Sequence, residues 1–331
     1  MVNVAFELGN QTKEELECSK NIESIKYESL LVMGMGGSGV AGDVLSLLSN
    51  EVSIKNITVR KSYSIPKKIS ERKPFCLFIS YSGNTEETIS GLEVAIKNNL
   101  DWAVISSGGK LMEYALEHNK EYIKIPPGLQ PRAAFGYLTQ AACKIVDVVE
   151  STNFLKELRD AGDYLNEILN LKEDSEIFIK AKNLANQVNK KTCVIYGGTE
   201  LSELVASRWK TQINENSKSK AFIGSIPEVH HNEILSWDAD LEGSKSNFVL
   251  IFLRDDTENP QIVKRFNLTN ELLQEKVQIF NIEPKSKDTT LIKLMELVLL
   301  GDLFSISLAG ELKVIPEDIE AIENLKKLLE D

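Results

Sequence analysis

Short apolar runs alternate along the first half of the chain with segments whose apolar residues recur at helical spacing. The runs predict strands at Ser29–Met33, Ile57–Val59, Phe75–Ile79, Trp102–Ile105 and Tyr122–Ile125. The intervening segments predict helices at Val40–Ser49, Thr85–Lys97, Lys110–His118 and Ala133–Val149. This alternation is typical of an α/β fold in which helices cover both faces of a parallel sheet.

The second half repeats the pattern after a helical interruption. Residues 151–191 predict successive helices without a strand, and we interpret this segment as a bridge between two α/β halves. Strands resume at Thr192–Tyr196, Phe248–Leu253 and Gln278–Ile282, with helices at Glu203–Ile213, Leu291–Ala309 and Pro316–Leu329. A length of 331 residues agrees with two domains, and we place them at residues 1–152 and 153–331.

The two halves also resemble each other as a degenerate internal repeat. LLVMGMGGSGVAGDVL is similar to CVIYGGTELSELVASRW, because each consists of a strand, a glycine turn and a helix. PFCLFISYSGNTEETISGL is similar to FVLIFLRDDTENPQIVKRF in the same way. The glycine and hydroxyl residues are more numerous in the first copy. We therefore expect one domain to hold a phosphate and the other to supply catalytic side chains.

Composition narrows the class of protein. The formal net charge is −11, which argues against nonspecific binding to nucleic acid or to an anionic membrane. The four cysteines form no CxxC pair, so we expect buried free thiols in a reducing compartment. Three histidines are too few for the usual clustered metal site, and we expect no metal.

The chain carries no predicted membrane or export segment. The amino terminus lacks the basic stretch and apolar run of a signal peptide. Leu291–Gly310, the most apolar late stretch, contains three charged residues and predicts a buried helix. We therefore expect a soluble, cytoplasmic protein.

A glycine-rich turn follows the first strong strand. Gly34, Gly36 and Gly39 match GxGxxG at the start of a predicted helix, where backbone N–H groups can bind an anion. The usual interpretation is a dinucleotide site. Such a site normally has an acidic residue after the next strand, whereas this chain has Arg60 and Lys61. An NADP-dependent oxidoreductase stays an alternative on this pattern alone.

A second turn favours a phosphate monoester. SYSGNTEET places Ser80, Ser82 and Thr85 directly after the strongest strand, so three hydroxyl groups meet a second helix amino terminus. Together with Gly36, Gly37 and Ser38 of the first turn, they are the predicted phosphate-binding residues. The alternative is that the serine and threonine side chains only cap the helix.

These motifs resemble a known family. GMGGSG with SYSGNTEET resembles the sugar isomerase (SIS) domain. PPGLQPRAAFGYL, QINENSKSKAF and EVHHNEILSW, in that order, resemble the archaeal-type bifunctional phosphoglucose/phosphomannose isomerases over nearly the whole chain. The resemblance implies two SIS domains, each a flavodoxin-like parallel sheet flanked by helices. It also implies interconversion of glucose or mannose 6-phosphate with fructose 6-phosphate through an enediolate, without a cofactor.

The resemblance also assigns roles to four residues. Glu215 would transfer the proton between C1 and C2, and Arg132 would stabilise the enediolate. His231 would open the sugar ring in the active site of the partner subunit of a homodimer, and Lys326 in the last helix would assist it, with the adjacent Lys327 as the alternative lysine. Without the resemblance, the default interpretation of Glu215 is a solvent-exposed glutamate at a helix end, and the alternative for Arg132 is an exposed arginine that caps a loop. A sugar-phosphate sensor without activity stays the other alternative.

Overall fold

The computed structural model describes residues 1–52 and 54–330, so residue 331, the predicted end of the second domain, lies outside the described residues. The chain divides into two compact units. The amino-terminal unit contains Phe6–Glu167 with Thr289–Ile292, and the carboxyl-terminal unit contains Met1–Ala5, Ile168–Asp288 and the chain from Lys293 onward. The predicted domain boundary after residue 152 stays a prediction.

The first six strands belong to one sheet. They are β1 (Glu17–Cys18), β2 (Ser29–Gly34), β3 (Asn56–Arg60), β4 (Phe75–Ile79), β5 (Trp102–Ser106) and β6 (Glu121–Lys124). The helices up to residue 168 are α1 (Val2–Phe6), α2 (Leu8–Gln11), α3 (Gly36–Glu51), α4 (Lys67–Ser70), α5 (Glu86–Lys97), α6 (Gly109–Glu117), α7 (Phe135–Glu150) and α8 (Phe154–Ile168).

This sheet has the strand order of a flavodoxin-like fold. The order is β1-β6-β5-β4-β2-β3, and all pairs are parallel except the short antiparallel pair of β1 with β6. The five parallel strands therefore follow the order second, first, third, fourth, fifth. Strands β4 and β5 are buried at every position, as expected where helices cover both faces of a sheet.

The carboxyl-terminal unit has a smaller sheet of the same kind. Its strands are β7 (Thr192–Gly197), β8 (Ala221–Ser225), β9 (Phe248–Leu253) and β10 (Gln278–Ile282). The later helices are α9 (Glu176–Val188), α10 (Glu200–Asn216), α11 (Ser236–Ala239), α12 (Leu241–Asn247), α13 (Pro260–Leu273), α14 (Thr290–Leu312) and α15 (Glu320–Glu330).

The four strands of this second sheet are all parallel, in the order β10-β9-β7-β8. This order equals that of the first sheet without its fifth parallel strand. The α/β class with two flavodoxin-like sheets is confirmed, and β9 and β10 have the predicted bounds. Within the described residues, no helix is long and apolar enough to cross a membrane.

Candidate functional site

The glycine turn after β2 forms the start of α3. We predicted that this helix begins at Val40, but it begins at Gly36, so Gly36, Gly37 and Ser38 occupy its first turn. Because glycine has a low helix propensity, the start of the helix was predicted too late in the sequence. Gly36 has φ +49° and is exposed, and Met35 before it has no oxygen that can cap the helix. The first N–H groups of α3 therefore face an uncapped end that suits an anion.

The hydroxyl turn after β4 lies beside the glycine turn, because β2 and β4 are adjacent and parallel. Ser80 Oγ lies 2.7 Å from Thr85 Oγ1 and accepts the N–H of Gly83 at 3.1 Å. Ser82 is exposed, and its Oγ accepts the N–H of Asn84 at 3.2 Å. Thr85 immediately precedes α5, yet its side chain does not cap that helix. Helix capping alone therefore does not explain this threonine.

The two turns are joined at a buried serine. Ser38 Oγ accepts the backbone N–H of Tyr81 at 2.9 Å, so the first turn of α3 is fastened to the turn after β4. Ser38 and Ser80 are both buried, whereas Gly36 and Ser82 are exposed. The buried hydroxyl groups thus fix the shape of the two turns, and the exposed groups form their surface.

Arg132 lies against the glycine turn. It belongs to a short 3-10 helix, Pro131–Ala133, and only 3% of it is exposed. A Cβ atom on Gly37 would lie 2.9 Å from both N and Cα of Arg132, so the two backbones are in direct contact. Gln11 supports the same segment, because its Nε2 donates to Ala133 O at 2.9 Å. The amino-terminal unit therefore holds Arg132 against the glycine turn.

Glu215 lies in the last turn of α10, within the helix rather than just past it as we predicted. The two flanking amides donate elsewhere: Asn214 Nδ2 to Ser219 O at 2.8 Å and Asn216 Nδ2 to Ser305 Oγ at 2.9 Å. Lys218 Nζ donates to the carbonyl oxygen of Glu215 at 2.6 Å. These bonds hold the helix end that presents the half-buried glutamate.

A buried polar ladder fixes α10 against α14. Arg208, Gln212 and Asn216 are four residues apart and share one face of α10. Arg208 Nη2 donates to both oxygens of Asp302, at 3.0 and 2.7 Å, and Gln212 Nε2 donates to Asp302 Oδ1 at 2.5 Å. With the bond from Asn216 to Ser305, the ladder sets the register of the helix that carries Glu215.

The two adjacent histidines have different surroundings. His230 Nδ1 accepts from Arg265 Nη1 at 3.0 Å, since an arginine can only donate. His230 Nε2 therefore carries the proton and donates to Thr269 Oγ1 at 2.8 Å. Burial lowers the pKa of His230, and the charge of Arg265 lowers it further. His230 thus fastens its segment to α13 as a neutral ring, while His231 is exposed.

The corresponding turns of the carboxyl-terminal unit contain carboxylates. Thr199 after β7 donates to a carboxylate oxygen of Asp255, which follows the neighbouring strand β9. Asp255 is buried, and its other oxygen accepts from the backbone N–H and the hydroxyl group of Thr257. An acidic side chain therefore bridges the two turns that the amino-terminal unit lines with hydroxyl groups.

Known proteins match the chain over most of its length. The family described as bacterial phospho-glucose isomerase C-terminal SIS domain matches residues 179–329. A bifunctional phosphoglucose/phosphomannose isomerase of Aquifex aeolicus is 34% identical over 92% of this chain and 91% of that protein. One from Thermoplasma volcanium is 32% identical, over 95% of this chain and 96% of that protein. This chain belongs to the bifunctional phosphoglucose/phosphomannose isomerase family. The family predicted from the motifs is therefore confirmed.

The scaffold of this family is shared with other phosphosugar proteins. A D-glucosamine-6-phosphate 4-epimerase of Sulfolobus acidocaldarius is 29% identical over 93% of this chain and 92% of that protein. Among solved structures, a hypothetical protein of Thermus thermophilus has a TM-score of 0.74 at 15% identity, over 99% of this chain and 88% of that chain. Glucosamine-6-phosphate deaminase of Thermotoga maritima has a TM-score of 0.68 at 13% identity, over 96% of this chain and 94% of that chain. These structural likenesses show the fold.

The residues assigned by resemblance to the phosphoglucose/phosphomannose isomerase family fall into two groups. Arg132 and the phosphate turns lie in the amino-terminal unit. Glu215, His231 and Lys326 lie in the carboxyl-terminal unit, the last on the exposed helix α15. Their roles stay predictions. Within the described residues, no group of three or more His, Cys, Asp or Glu side chains is placed to hold a metal ion.

Sequence reasoning missed the residues that support the site. Gln11 and Asp302 lie far along the chain from the segments they hold, 122 residues from Ala133 and 94 from Arg208. Asp302 did have a signal, because it is a charged residue in an otherwise apolar predicted helix. Such a residue needs a buried partner of opposite charge. Gln11 had no comparable signal.

Proposed function

We propose that this chain is a cofactor-independent sugar-phosphate isomerase. It interconverts glucose 6-phosphate, and also mannose 6-phosphate, with fructose 6-phosphate. The observation that carries the proposal is the pair of adjacent turns in the amino-terminal unit, with Arg132 packed against Gly37. The names of the relatives at 34% and 32% identity support the substrate class.

The phosphate group binds at the two turns. Backbone N–H groups of Gly36 and Gly37 at the uncapped start of α3 donate to the phosphate oxygens, together with Ser82 and Thr85. Ser38 and Ser80 hold the turns in shape through their buried hydroxyl groups. These backbone N–H and hydroxyl donors are neutral, which suits a phosphate that must be released after each turnover. They also need no change of protonation to bind it.

Proton transfer uses Glu215 and Arg132. The Glu215 carboxylate takes the proton from C2 of the open-chain aldose and returns it to C1, while a proton passes from O2 to O1. The intermediate is an enediolate, and the permanently charged guanidinium of Arg132 stabilises its oxygen. Because C2 is planar in the enediolate, glucose and mannose 6-phosphate share this intermediate.

Ring opening uses His231 and Lys326. His231 is exposed on a segment that His230 fixes to α13, and in a homodimer it serves the partner's site. The helical repeat places Lys326 and Lys327 on different faces of α15. At about 100° per residue, Lys326 lies about 40° from the apolar Ile322, whereas Lys327 lies near the acidic Glu320 and Glu323. Lys326 is therefore the lysine at the edge of the apolar face.

The surroundings of Arg60 argue against one alternative, an NADP-dependent oxidoreductase. An NADP site needs a free cationic side chain near the end of β3 for the 2′-phosphate. Arg60 instead donates to Ser64 O at 2.8 Å and to Tyr63 O at 3.0 Å, and Lys61 pairs with Asp43. Both cations thus already have partners within their own loop or on α3. The other alternative, a sugar-phosphate sensor without activity, is distinguished from an isomerase by an activity assay.

A coupled assay tests the proposed activity in the cytoplasmic pH range. The purified protein with EDTA is expected to convert both glucose and mannose 6-phosphate to fructose 6-phosphate. In D2O, proton exchange at the base introduces deuterium at C2 of the recovered aldose. Activity that EDTA abolishes and zinc restores contradicts the metal-free mechanism. Binding without turnover supports a sensor, and inversion at C4 without ketose supports an epimerase.

A further inference from the structure

Tyr81 joins the turns at the carboxyl ends of three strands through its backbone. It lies between Ser80 and Ser82, and only 6% of it is exposed. Its N–H donates to Ser38 Oγ in the turn after β2. Its carbonyl oxygen accepts from Ser107 N at 3.0 Å and from Ser107 Oγ at 2.6 Å, in the turn after β5. The backbone of one residue thus connects the turns after β2, β4 and β5.

The side chain of Tyr81 reaches a fourth turn. Its hydroxyl group donates to Pro126 O at 3.0 Å and accepts from Leu129 N at 2.7 Å. Both partners lie in the loop that connects β6 to the 3-10 helix of Arg132. Burial raises the pKa of Tyr81, so the hydroxyl group stays protonated and keeps both bonds at neutral pH. A phenylalanine would fill the same space without either bond.

The loop that carries Arg132 is thus fastened at both ends. Tyr81 holds its first part, at Pro126 and Leu129, and Gln11 holds its last part at Ala133 O and the N–H of Gly136. Gly128, between the two contacts of Tyr81, has φ +94°, a conformation that favours glycine. The position of Arg132 relative to the turn that contains Tyr81 therefore depends on a tyrosine hydroxyl group.

We propose that the Tyr81 hydroxyl is a positioning group that couples the phosphate turns to Arg132. In its reactive bound conformation, a sugar 6-phosphate spans one distance from its phosphate to C1 and C2, so the guanidinium must keep a set distance from the phosphate turns. A residue whose backbone lies in one turn and whose side chain holds the Arg132 loop transmits that distance. This inference rests on the proposed function, because it uses Arg132 as the group that stabilises the enediolate.

Tyr81→Phe tests the coupling, with Tyr114→Phe as the matched control. Tyr114 lies in the same unit, and its hydroxyl group makes only a long surface bond, 3.4 Å, to Glu93 Oε1 among the contacts described. We expect Tyr81→Phe to lower kcat with glucose 6-phosphate by about tenfold, since small displacements of a catalytic group are costly. The affinity for inorganic phosphate is expected to stay unchanged. Tyr114→Phe is expected to match the wild type in both.

A double mutant shows whether the tyrosine acts through Arg132. If it does, Tyr81→Phe costs little additional kcat in an Arg132→Ala background, because the group it positions is gone. An equal cost in both backgrounds overturns the proposal. A parallel loss of kcat and phosphate affinity in Tyr81→Phe also overturns it, because that result indicates a general weakening of the turns.

Hydrogen exchange tests this inference independently of the proposed function. In Tyr81→Phe, the amides of the five non-proline residues of 126–133 are expected to exchange faster, whereas those of residues 36–42 keep the wild-type rate. If the wild type has no isomerase activity, the proposed function fails, and the exchange at residues 126–133 still decides the coupling. Unchanged exchange at these residues, or equal acceleration at both segments, contradicts it.

Discussion

Replacing Gly37 by alanine adds one methyl group against the backbone of Arg132. The new Cβ would lie 2.9 Å from Arg132 N and Cα and 3.0 Å from the carbonyl carbon of Pro131. Ordinary contacts between carbon atoms are about 3.5–4.0 Å, so the turn and the Arg132 segment must separate by roughly half an ångström or more. The obstacle is backbone, which cannot rotate aside as a side chain can.

This separation is expected to lower both the stability of the fold and the rate of the reaction. Overpacking typically costs about 1–3 kcal/mol, and we expect that decrease in the free energy of unfolding of Gly37→Ala in urea. A displacement of about 1 Å in a catalytic group can lower a rate by about 10²-fold. We therefore expect kcat with glucose 6-phosphate to fall by roughly 10- to 100-fold. Steady-state kinetics and a titration with inorganic phosphate measure the two effects.

Two other glycines provide matched controls for Gly37→Ala. Gly36→Ala places its Cβ in open space, with nothing within 4 Å, but keeps φ +49°. It therefore shows the effect of left-handed strain, about 1–2 kcal/mol, without a clash. Gly310→Ala on α14 has neither strain nor a contact within 4 Å, and the helix gains up to about 1 kcal/mol. A Gly37→Ala protein with wild-type kcat and phosphate affinity refutes the assigned packing.

Four further variants and one control test the site and its support. Thr85→Val is expected to weaken phosphate binding by about 1–3 kcal/mol in calorimetry, and unchanged affinity would leave the threonine without a role in binding. Glu215→Gln is expected to lower kcat by about 10²–10⁴-fold while phosphate still binds. Mixing it with His231→Ala is expected to restore activity in exchanged dimers, and no recovery argues against a shared site. Asp302→Asn removes the carboxylate charge to which the buried Arg208 donates and is expected to cost about 3–5 kcal/mol in urea unfolding. The exposed Asp160→Asn is expected to change stability by less than about 0.5 kcal/mol, and equal effects would contradict a buried ladder.

Local patterns in the sequence were sufficient for most of the fold. Strand Phe248–Leu253 is an apolar run that is buried after its first residue, and Gln278–Ile282 has three apolar residues with exposed Gln278 and Asn281. The predicted bounds of both strands are correct. Strand Ala221–Ser225 was missed, because it is short, contains Gly224 and follows a polar stretch. The end of α10 was placed at Ile213 instead of Asn216, since the buried asparagine looks like a polar helix end until its partner on α14 is known.

The candidate site was predictable to the extent that its residues lie in contiguous motifs. The turns at Gly36–Ser38 and Ser80–Thr85 stand out in the sequence because glycine and hydroxyl residues concentrate there. The contact of Gly37 with Arg132 was not predictable, because 95 residues of chain separate the two in the sequence numbering. Long-range contacts of this kind depend on tertiary packing, which periodicity and propensity do not specify.

The internal repeat accounts for the proposed difference between the two units, of which only the amino-terminal one binds the phosphate. Both units place two turns at the ends of adjacent parallel strands, β2 with β4 and β7 with β9. In the amino-terminal unit the second turn presents hydroxyl groups, whereas in the carboxyl-terminal unit Asp255 accepts from Thr199 and Thr257. A phosphate at the second position would meet this buried carboxylate at close range, and like charges repel strongly there. The carboxylate already uses the donors that a phosphate would need. Under the proposed function, the amino-terminal unit therefore binds the phosphate, and the carboxyl-terminal unit carries the proton-transfer groups.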